Sequence, residues 1–468
     1  MKRINLVAAA VVVGACVVPA GAQTDASKRI SAIFRQASGA MAVVRYAIDV
    51  GLGGQEVVGT GVCVHHDANG RAVFLTTALG FQVRRSDLKN FRIAPSGVGA
   101  KEVPAELMGV DPVTGLGFVR TKKARKWEKV TFAVPGKLAI GQQVVSVGLM
   151  GSDTGHAPYL GLARVAGKVR VPETLYRVTG GRLTGSCSPV LSLQGKVVGL
   201  VARQLPLEYQ MVAGRGQSAS IALSARQEKV FFLPIEEFAH AIRNMPVPTS
   251  PQRRAWIGVM NFVPVTKESG KTFGVDSPAV MIGQTVANMP AAKAGLKERD
   301  IIIGINGKSL ENLATPALVV VNFMRRLKHI GVGKKVTLTV LRGGKKLSAT
   351  VDLQPVPKEA YEAERYLDAK LGMAMREKVA MDGYRDKNPS VDVPGLFVVQ
   401  VAGRSPAGNG GLRNGDLVTS INDQPVRTAA QVRTIIEKAL REAPTKTIVL
   451  LVRRGNETRP ISIVPPSK

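Results

Sequence analysis

The chain has 468 residues, and at roughly 150 residues per domain it has room for about three. With 45% hydrophobic and 21% charged residues it has the composition of a globular protein, which excludes a wholly disordered chain. Lys and Arg outnumber Asp and Glu by 64 to 34, a net charge of +30 that invites a nucleic-acid reading, while three cysteines exclude a disulfide-dense or multi-zinc scaffold.

The first element is an export signal. Met1-Lys2-Arg3 is a positive start, Ile4 to Val18 is largely apolar, and Ala20-Gly21-Ala22 offers the small residues a signal peptidase accepts. Residues 1–22 therefore read as a signal peptide cleaved before Gln23. Two alternatives stay open. An uncleaved anchor is disfavoured by the shortness of the apolar run. Lipidation at Cys16 rests on Val13-Gly14-Ala15-Cys16, and is disfavoured because the run continues apolar beyond it. All three readings send the chain out to the periplasm or cell envelope. No later apolar run approaches the ~18 residues of a membrane span.

A short amphipathic stretch (27–37) leads into residues 40–232, which alternate β-rich runs with turn signals. Val57 to His66, Arg71 to Thr77, Gln143 to Leu149 and Val197 to Val201 are the strand candidates. Asn69-Gly70, Gly151-Ser152 and Gln194-Gly195 punctuate them. Such spacing predicts a sandwich or barrel. A helix follows over Ile235 to Arg243, and Met245-Pro-Val-Pro-Thr-Ser-Pro251 ends it, because proline lacks an N–H and fixes φ. The front unit is therefore 27–245 and the linker 246–255.

The rest of the chain is a repeat. Trp256-Ile-Gly-Val-Met260, Asn288 to Leu296 and Asp300 to Gly307 recur as Leu371-Gly-Met373, Arg404 to Leu412 and Gly415 to Asn422. Each copy continues into a helix, about 315–328 and 429–440, then a strand ending in Arg-Gly at 342–343 and 454–455. The copies span 256–355 and 370–466, and the charged stretch 356–369 reads as a second linker or short helix. This pattern resembles the bacterial type of PDZ domain. The resemblance implies capture of peptide C-termini by strand addition beside Ile257, Gly258, Val259 and Met260 in one copy and Leu371, Gly372 and Met373 in the other. Backbone N–H groups there hold the carboxylate, and the central glycine lets the ligand backbone approach. A blocked, merely structural groove is the competing reading for either copy.

With an export signal and a β-rich front unit, the whole resembles the HtrA/DegP serine proteases. Gly59-Thr-Gly-Val62, Phe74-Leu-Thr-Thr-Ala78, Val110 to Phe118, Gln143 to Gly148 and Thr184-Gly-Ser-Cys-Ser-Pro189 follow that family's landmarks in order over roughly 190 residues. The implied fold is mainly β: a trypsin-like double β-barrel followed by two PDZ-like α+β domains. The implied nucleophile is Ser186. The general-base position, however, is Leu79, and the position of the orienting aspartate is Gly115. A serine hydroxyl needs an adjacent base, leucine cannot serve as one, and glycine cannot orient an imidazole. Thr184 stands where a glycine supplies an oxyanion N–H, and Cys187 and Ser188 replace the two glycines after the serine. The catalytic set is degenerate.

Other residues were weighed as substitutes. His65 and His66, with Cys63, could suggest a metal, but neighbouring side chains diverge on a strand, and no metal or cofactor is expected. His156 is the one candidate to replace the base. His240 and His329 read as surface or boundary residues, and Asp111 as a turn cap ahead of Pro112. Cys63 and Cys187 could pair or remain buried thiols. The charge excess is spread, +15 over residues 23–255, +8 over 256–355 and +5 over 356–468. No aromatic platform accompanies the basic runs, so a solvated surface, weakly attractive to anionic envelope polymers, replaces nucleic acid as the reading. The expectation is an exported pseudoprotease that binds peptide C-termini or unfolded envelope proteins and, by resemblance, forms a trimer. The alternative is a serine endopeptidase working through Ser186.

Overall fold

The computed structural model describes residues 20–49, 54–79, 83–201, 208–213, 217–222, 230–248, 253–385 and 393–466. The export segment expected at 1–22 lies almost wholly outside them. The opening helix is longer than its amphipathic stretch suggests: α1 runs Ala20–Ala40 and seats Ile33 and Ala37 in the core of the front unit.

Six strands then close a barrel. They are β1 (Met41–Asp49), β2 (Gly54–His66), β3 (Ala72–Thr76), β4 (Leu88–Pro95), β5 (Val103–Val110) and β6 (Gly117–Thr121), arranged β1-β2-β3-β6-β5-β4. All five residues of β3 are buried, because it crosses the middle of the unit rather than facing water on one side. A second barrel follows from β7 (Thr131–Phe132), β8 (Gln143–Leu149), β9 (Pro158–Arg170), β10 (Thr174–Thr179), β11 (Pro189–Leu191) and β12 (Lys196–Leu200). After the hairpin β13 (Glu208–Ala213) and β14 (Gln217–Ala222), β15 (Phe231–Pro234) completes it: β8-β9-β10-β15-β12-β11 closes through the β11–β8 pairing, with β7 at the side of β12. Closure leaves neither barrel an open edge, which is how small β domains avoid edge pairing. The fold is the expected trypsin-like double barrel.

Helix α2 (Ile235–Arg243) falls where the sequence places it and buries Ile235, Phe238 and Ala241 at the spacing of one helix face. The first PDZ unit comprises β16 (Ala255–Trp256), β17 (Val259–Pro264), α3 (Lys267–Phe273), β18 (Val280–Thr285), α4 (Pro290–Lys293), β19 (Ile301–Ile305), β20 (Lys308–Ser309), α5 (Pro316–Ile330), β21 (Lys335–Arg342), β22 (Lys345–Asp352) and β23 (Gln354–Pro355). The second comprises β24 (Arg365–Asp368), β25 (Met373–Glu377), α6 (Ala380–Arg385), β26 (Leu396–Val401), α7 (Pro406–Asn409), β27 (Leu417–Ile421), β28 (Gln424–Pro425), α8 (Ala429–Glu442), β29 (Ile448–Arg454) and β30 (Glu457–Ile463). Thr315 and Thr428 cap α5 and α8 by accepting from Leu318 N–H and Gln431 N–H, leaving one fewer orphan donor at each helix start.

The repeated motif has a repeated cause. Asp300 and Asp416 are each 1% exposed, and each holds the closing arginine of its own copy. Arg342 donates to Asp300 at 2.6 and 2.7 Å, and Arg454 to Asp416 at 2.7 and 2.7 Å. Each aspartate also accepts the N–H at the turn before it, from Lys297 and Arg413. Two-point geometry and a fixed fork make arginine the right partner for a carboxylate withdrawn from water.

The first PDZ unit is tied to the second barrel through α5. Arg170 reaches Glu311 with two donors, at 3.0 and 3.1 Å, and Arg325 donates to the nearly buried Glu237 of α2, which also accepts Thr174 N–H at 2.8 Å. His240 of α2 stacks edge-on against His329 of α5, 5.0 Å between ring centres, and lies 3.4 Å from the Asp111 carboxylate. Both histidines are boundary residues, as expected. Partial burial, with Arg325 and His240 adding repulsion, pushes the His329 imidazole from 6.5 down to about 4, against the pull of Asp111 and Glu237. A base held neutral in the folded state contributes stability above its unfolded value and loses it as pH falls toward the folded one. The thermal midpoint of unfolding should therefore drop as pH is lowered from 6.5 toward about 4. His329→Gln, which cannot titrate, should flatten that slope in a calorimetric pH series; an unchanged slope would remove His329 as a source of it.

Candidate functional site

Two kinds of site follow from the sequence, the Ser186 cleft and the PDZ grooves. Ser186 sits in the loop entering β11. It is exposed, while Thr184, Cys187 and Ser188 around it are buried. Among the described residues, no side-chain hydrogen bond involves the Ser186 hydroxyl. Among the described residues, the hydroxyl thus faces solvent without a hydrogen-bonded base.

Leu79 stands where the resemblance puts the general base. It is 2% exposed and belongs to the core of the front unit. Its side chain fills the space above Gly117: a Cβ at position 117 would stand 2.1 Å from Leu79 Cδ1. Gly115 adopts φ +73° in a turn closed by its N–H to Asp111 C=O at 2.8 Å. Asp111 is that turn's cap, as expected, accepting Thr114 N–H at 2.7 Å and its hydroxyl at 2.6 Å. These donors and His240 hold its carboxyl below the usual range despite burial. Asp111 therefore serves the turn and the α2 contact, and orients nothing toward Ser186.

The candidate oxyanion donor has a partner inside the barrel. Thr184 N–H, the donor that the resemblance places in the oxyanion hole, donates instead to Ser146 Oγ of β8 at 3.0 Å, both atoms buried. The backbone N–H that survives at Thr184 is thus engaged by the barrel wall. The sequence carries no sign of Ser146 in this role, because only the barrel fold brings residues 146 and 184 together. Cys187 holds φ +66°, a left-handed conformation that costs a side-chain-bearing residue on the order of 1–2 kcal/mol. Its Sγ donates to Leu75 C=O at 3.3 Å, and burial pushes the thiol up to about 12, so it is no nucleophile at neutral pH.

His156 does not replace the base. Its ring nitrogens lie 3.3 Å from Arg45 Nη2 and 3.3 Å from Met150 C=O. His65 and His66 end β2, and no cluster of three or more metal-ligating side chains occurs among the described residues. Cys63 and Cys187 are both buried free thiols, not a disulfide.

The first PDZ groove is open. Among the described residues β17 pairs only with β18, and its other edge faces α5 across a groove of about 1040 Å³. Ile257, Val259, Met260, Phe262, Val320 and Met324 line it, with Arg254, Lys328 and Glu359 as the charged residues of its lining. Gly258 sits at φ +85°, with Met289 Cβ only 2.4 Å from where its own Cβ would be, so the loop admits glycine alone. The second copy repeats the loop, with Gly372 at φ +71°. There the correspondence stops. The free edge of β25 is taken by β24, a strand formed within the stretch read as a linker. Leu371, Gly372 and Met373, expected to receive a peptide, have no open edge beside them.

Comparison with known proteins agrees with this architecture. Residues 59–200 match the trypsin-like peptidase domain, and 262–353 and 397–454 match PDZ domains. The probable periplasmic serine endoprotease DegP-like of Bartonella henselae is 26% identical over 372 residues, 77% of this chain and 67% of that one. Its counterpart in Brucella suis is 26% identical over 380 residues, 77% and 66%. The matched region thus spans about two thirds of the relatives' length. Among solved structures, the HtrA-type protease AlgW with a tripeptide aligns over 70% of this chain and 98% of its own, at 16% identity and a TM-score of 0.49.

Leu79 gives the cleft its sharpest test. Leu79→His restores the residue type of a base but buries an imidazole against Gly117 with no carboxylate at 115 to pair it. The variant should lose about 2–4 kcal/mol of stability in urea denaturation and gain no peptidase activity. A stable, active Leu79→His chain would show that the cleft still accommodates a triad.

Proposed function

We infer that this homologue of the DegP-like serine endoproteases, a trypsin-like peptidase domain followed by two PDZ domains, captures polypeptide C-termini without cutting them. The observation that supports this reading is Leu79, buried against Gly117 at the position where the family resemblance puts the general base. Without that base the Ser186 hydroxyl keeps its proton, and a neutral hydroxyl attacks an amide too slowly for turnover. The Thr184–Ser146 bond removes a second requirement, since charge on a tetrahedral intermediate would find that oxyanion donor already engaged.

Capture falls to the first PDZ groove. Its open β17 edge supplies ladder partners, the apolar wall takes a hydrophobic side chain, and Arg254 and Lys328 favour the terminal carboxylate. Burial and Arg254 lower the affinity of Lys328 for its proton, and an incoming carboxylate reverses that pressure. The relatives' names place them in the periplasm, which with the N-terminal signal supports a periplasmic protein that holds unfolded envelope clients. Self-association through the barrel, implied by the family resemblance, belongs to the same proposal.

A second reading has its own support: the relatives are named serine endoproteases, and Ser186 is present and exposed. The two readings separate in one assay. Mature protein and Ser186→Ala are incubated with a fluorophosphonate probe and with unfolded casein. The capture reading expects no difference between them; labelling or cleavage that disappears in Ser186→Ala establishes the peptidase. For the groove, decapeptides ending in a free apolar residue should bind at least about tenfold more tightly than their amidated forms, since one charge-assisted contact is worth roughly 1.5–3 kcal/mol. Equal binding of both forms, measured by fluorescence anisotropy, would count against carboxylate capture.

A further inference from the structure

The two PDZ copies differ where a ligand enters. In the first, the segment ahead of the loop, β16, pairs with β23, and β17 keeps a free edge. In the second, the corresponding segment, β24, pairs antiparallel with β25: Arg365 opposite Arg376, Tyr366 opposite Met375, Leu367 opposite Ala374 and Asp368 opposite Met373. A peptide whose terminal carboxylate sits in the Leu371–Met373 loop must run toward that loop, antiparallel to β25. β24 runs in that direction. It also packs on the helix side, where Tyr366, 3% exposed, shares a core with Val432 and Ile436 of α8.

The end of β24 completes the likeness. Asp368 Oδ1 accepts the N–H groups of Lys370 and Leu371 at 3.0 and 2.9 Å, and its carbonyl accepts Gly372 N–H at 2.9 Å. Tyr366 OH donates to Oδ2 at 2.9 Å and fixes the carboxylate. These loop amides are the donors a ligand's terminal carboxylate would take. In the first copy, among the described residues, no side chain accepts from the amides of Ile257, Gly258 or Val259.

We propose that residues Arg365–Asp368 are a built-in ligand of the second PDZ groove, with the Asp368 carboxylate in the place of a peptide's C-terminal carboxylate. A tethered strand acts at an effective concentration on the order of millimolar, so a free peptide of micromolar affinity competes poorly. The groove opens only when the strand leaves. The strand is anchored outside its own domain: Arg84 of the first barrel donates to Ala363 C=O at 3.2 Å and to Glu364 at 3.1 Å. Arg254, on the lining of the first groove, lies 3.8 Å from Glu359 at the root of the same segment. A carboxylate arriving at Arg254 competes with Glu359, which couples filling of the first groove to the hold on the strand that closes the second.

The test uses the full chain and has two arms. Hydrogen exchange of the Lys370, Leu371 and Gly372 amides needs no peptide, and Asp368→Ala should speed it by about tenfold. In the second arm, a pool of fluorescein-labelled decapeptides ending in free Val, Leu or Phe is titrated to saturation. The expected stoichiometry is one per wild-type chain, none for Val321→Glu/Met324→Glu, whose changes lie on the half-exposed wall of the first groove, and two for Asp368→Ala/Tyr366→Ser. Two sites in the wild type overturn the proposal, as do unchanged protection in Asp368→Ala, or a single site in the double variant once its loop amides exchange freely. The peptide arm rests on the capture reading, and the exchange arm does not. Faster exchange with no peptide bound by any chain therefore rejects capture and leaves the built-in ligand standing.

Discussion

A backbone N–H removed from water must find an acceptor, and which acceptor it finds decides what this chain can do. Substrate-handling proteins leave a few such donors open for the incoming group. Here Thr184 N–H, at the oxyanion position, is satisfied by Ser146, and the loop amides of the second PDZ copy by Asp368. Each internal acceptor stabilises the folded chain and removes a partner from any substrate. The loop at Ile257–Val259 stands apart, since its amides have no side-chain acceptor among the described residues.

The cleft shows the same preference for self-satisfaction in apolar terms. Replacing a base by leucine in a packed seam would normally overfill it, yet glycine at 117 supplies the missing volume. Burying a leucine side chain contributes about 1.5–3 kcal/mol, and a vacant aspartate position at Gly115 spares the fold an unpaired charge. Leucine at 79 and glycines at 115 and 117 are therefore mutually consistent. They describe a seam repacked as core, which fits the general observation that catalytic groups are held at some cost to stability.

Much of this was legible in the residues. The repeats, the spans of α2, α5 and α8, the turn at Asp111 and the vacancies at 79 and 115 all rest on local patterns: helix period, turn chemistry and motif spacing. The role of β24 was not legible, because Arg365-Tyr-Leu-Asp368 is too short and too charged to read as a strand, and its pairing depends on a groove assembled from β25 and α8. One signal was available in principle. An aspartate two and three residues ahead of the amides it caps is an ordinary turn pattern, and Asp368 stands so before Lys370 and Leu371. Ser146 gave no signal at all, since its contact spans 38 residues and exists only once the barrel closes.

The net charge of +30 also takes a structural meaning from these contacts. Runs that looked like a nucleic-acid footprint contain arginines with specific structural partners. Arg84 holds Asp87 and Glu364, Arg325 holds Glu237, and Arg342 and Arg454 lock the two PDZ copies. Several of these carboxylates are nearly buried, where removing one partner strands a charge, so the pairs fix geometry more than they add net stability. Arg170 of β9 holds Glu311 just ahead of α5, and Arg325 of α5 holds Glu237 of α2, so the wall of the groove is tied to the front unit. On the capture reading, a peptide held along β17 is presented at a set angle to the barrel that carries Ser186. That rigidity gives the retained protease fold a physical role as the platform that orients the groove.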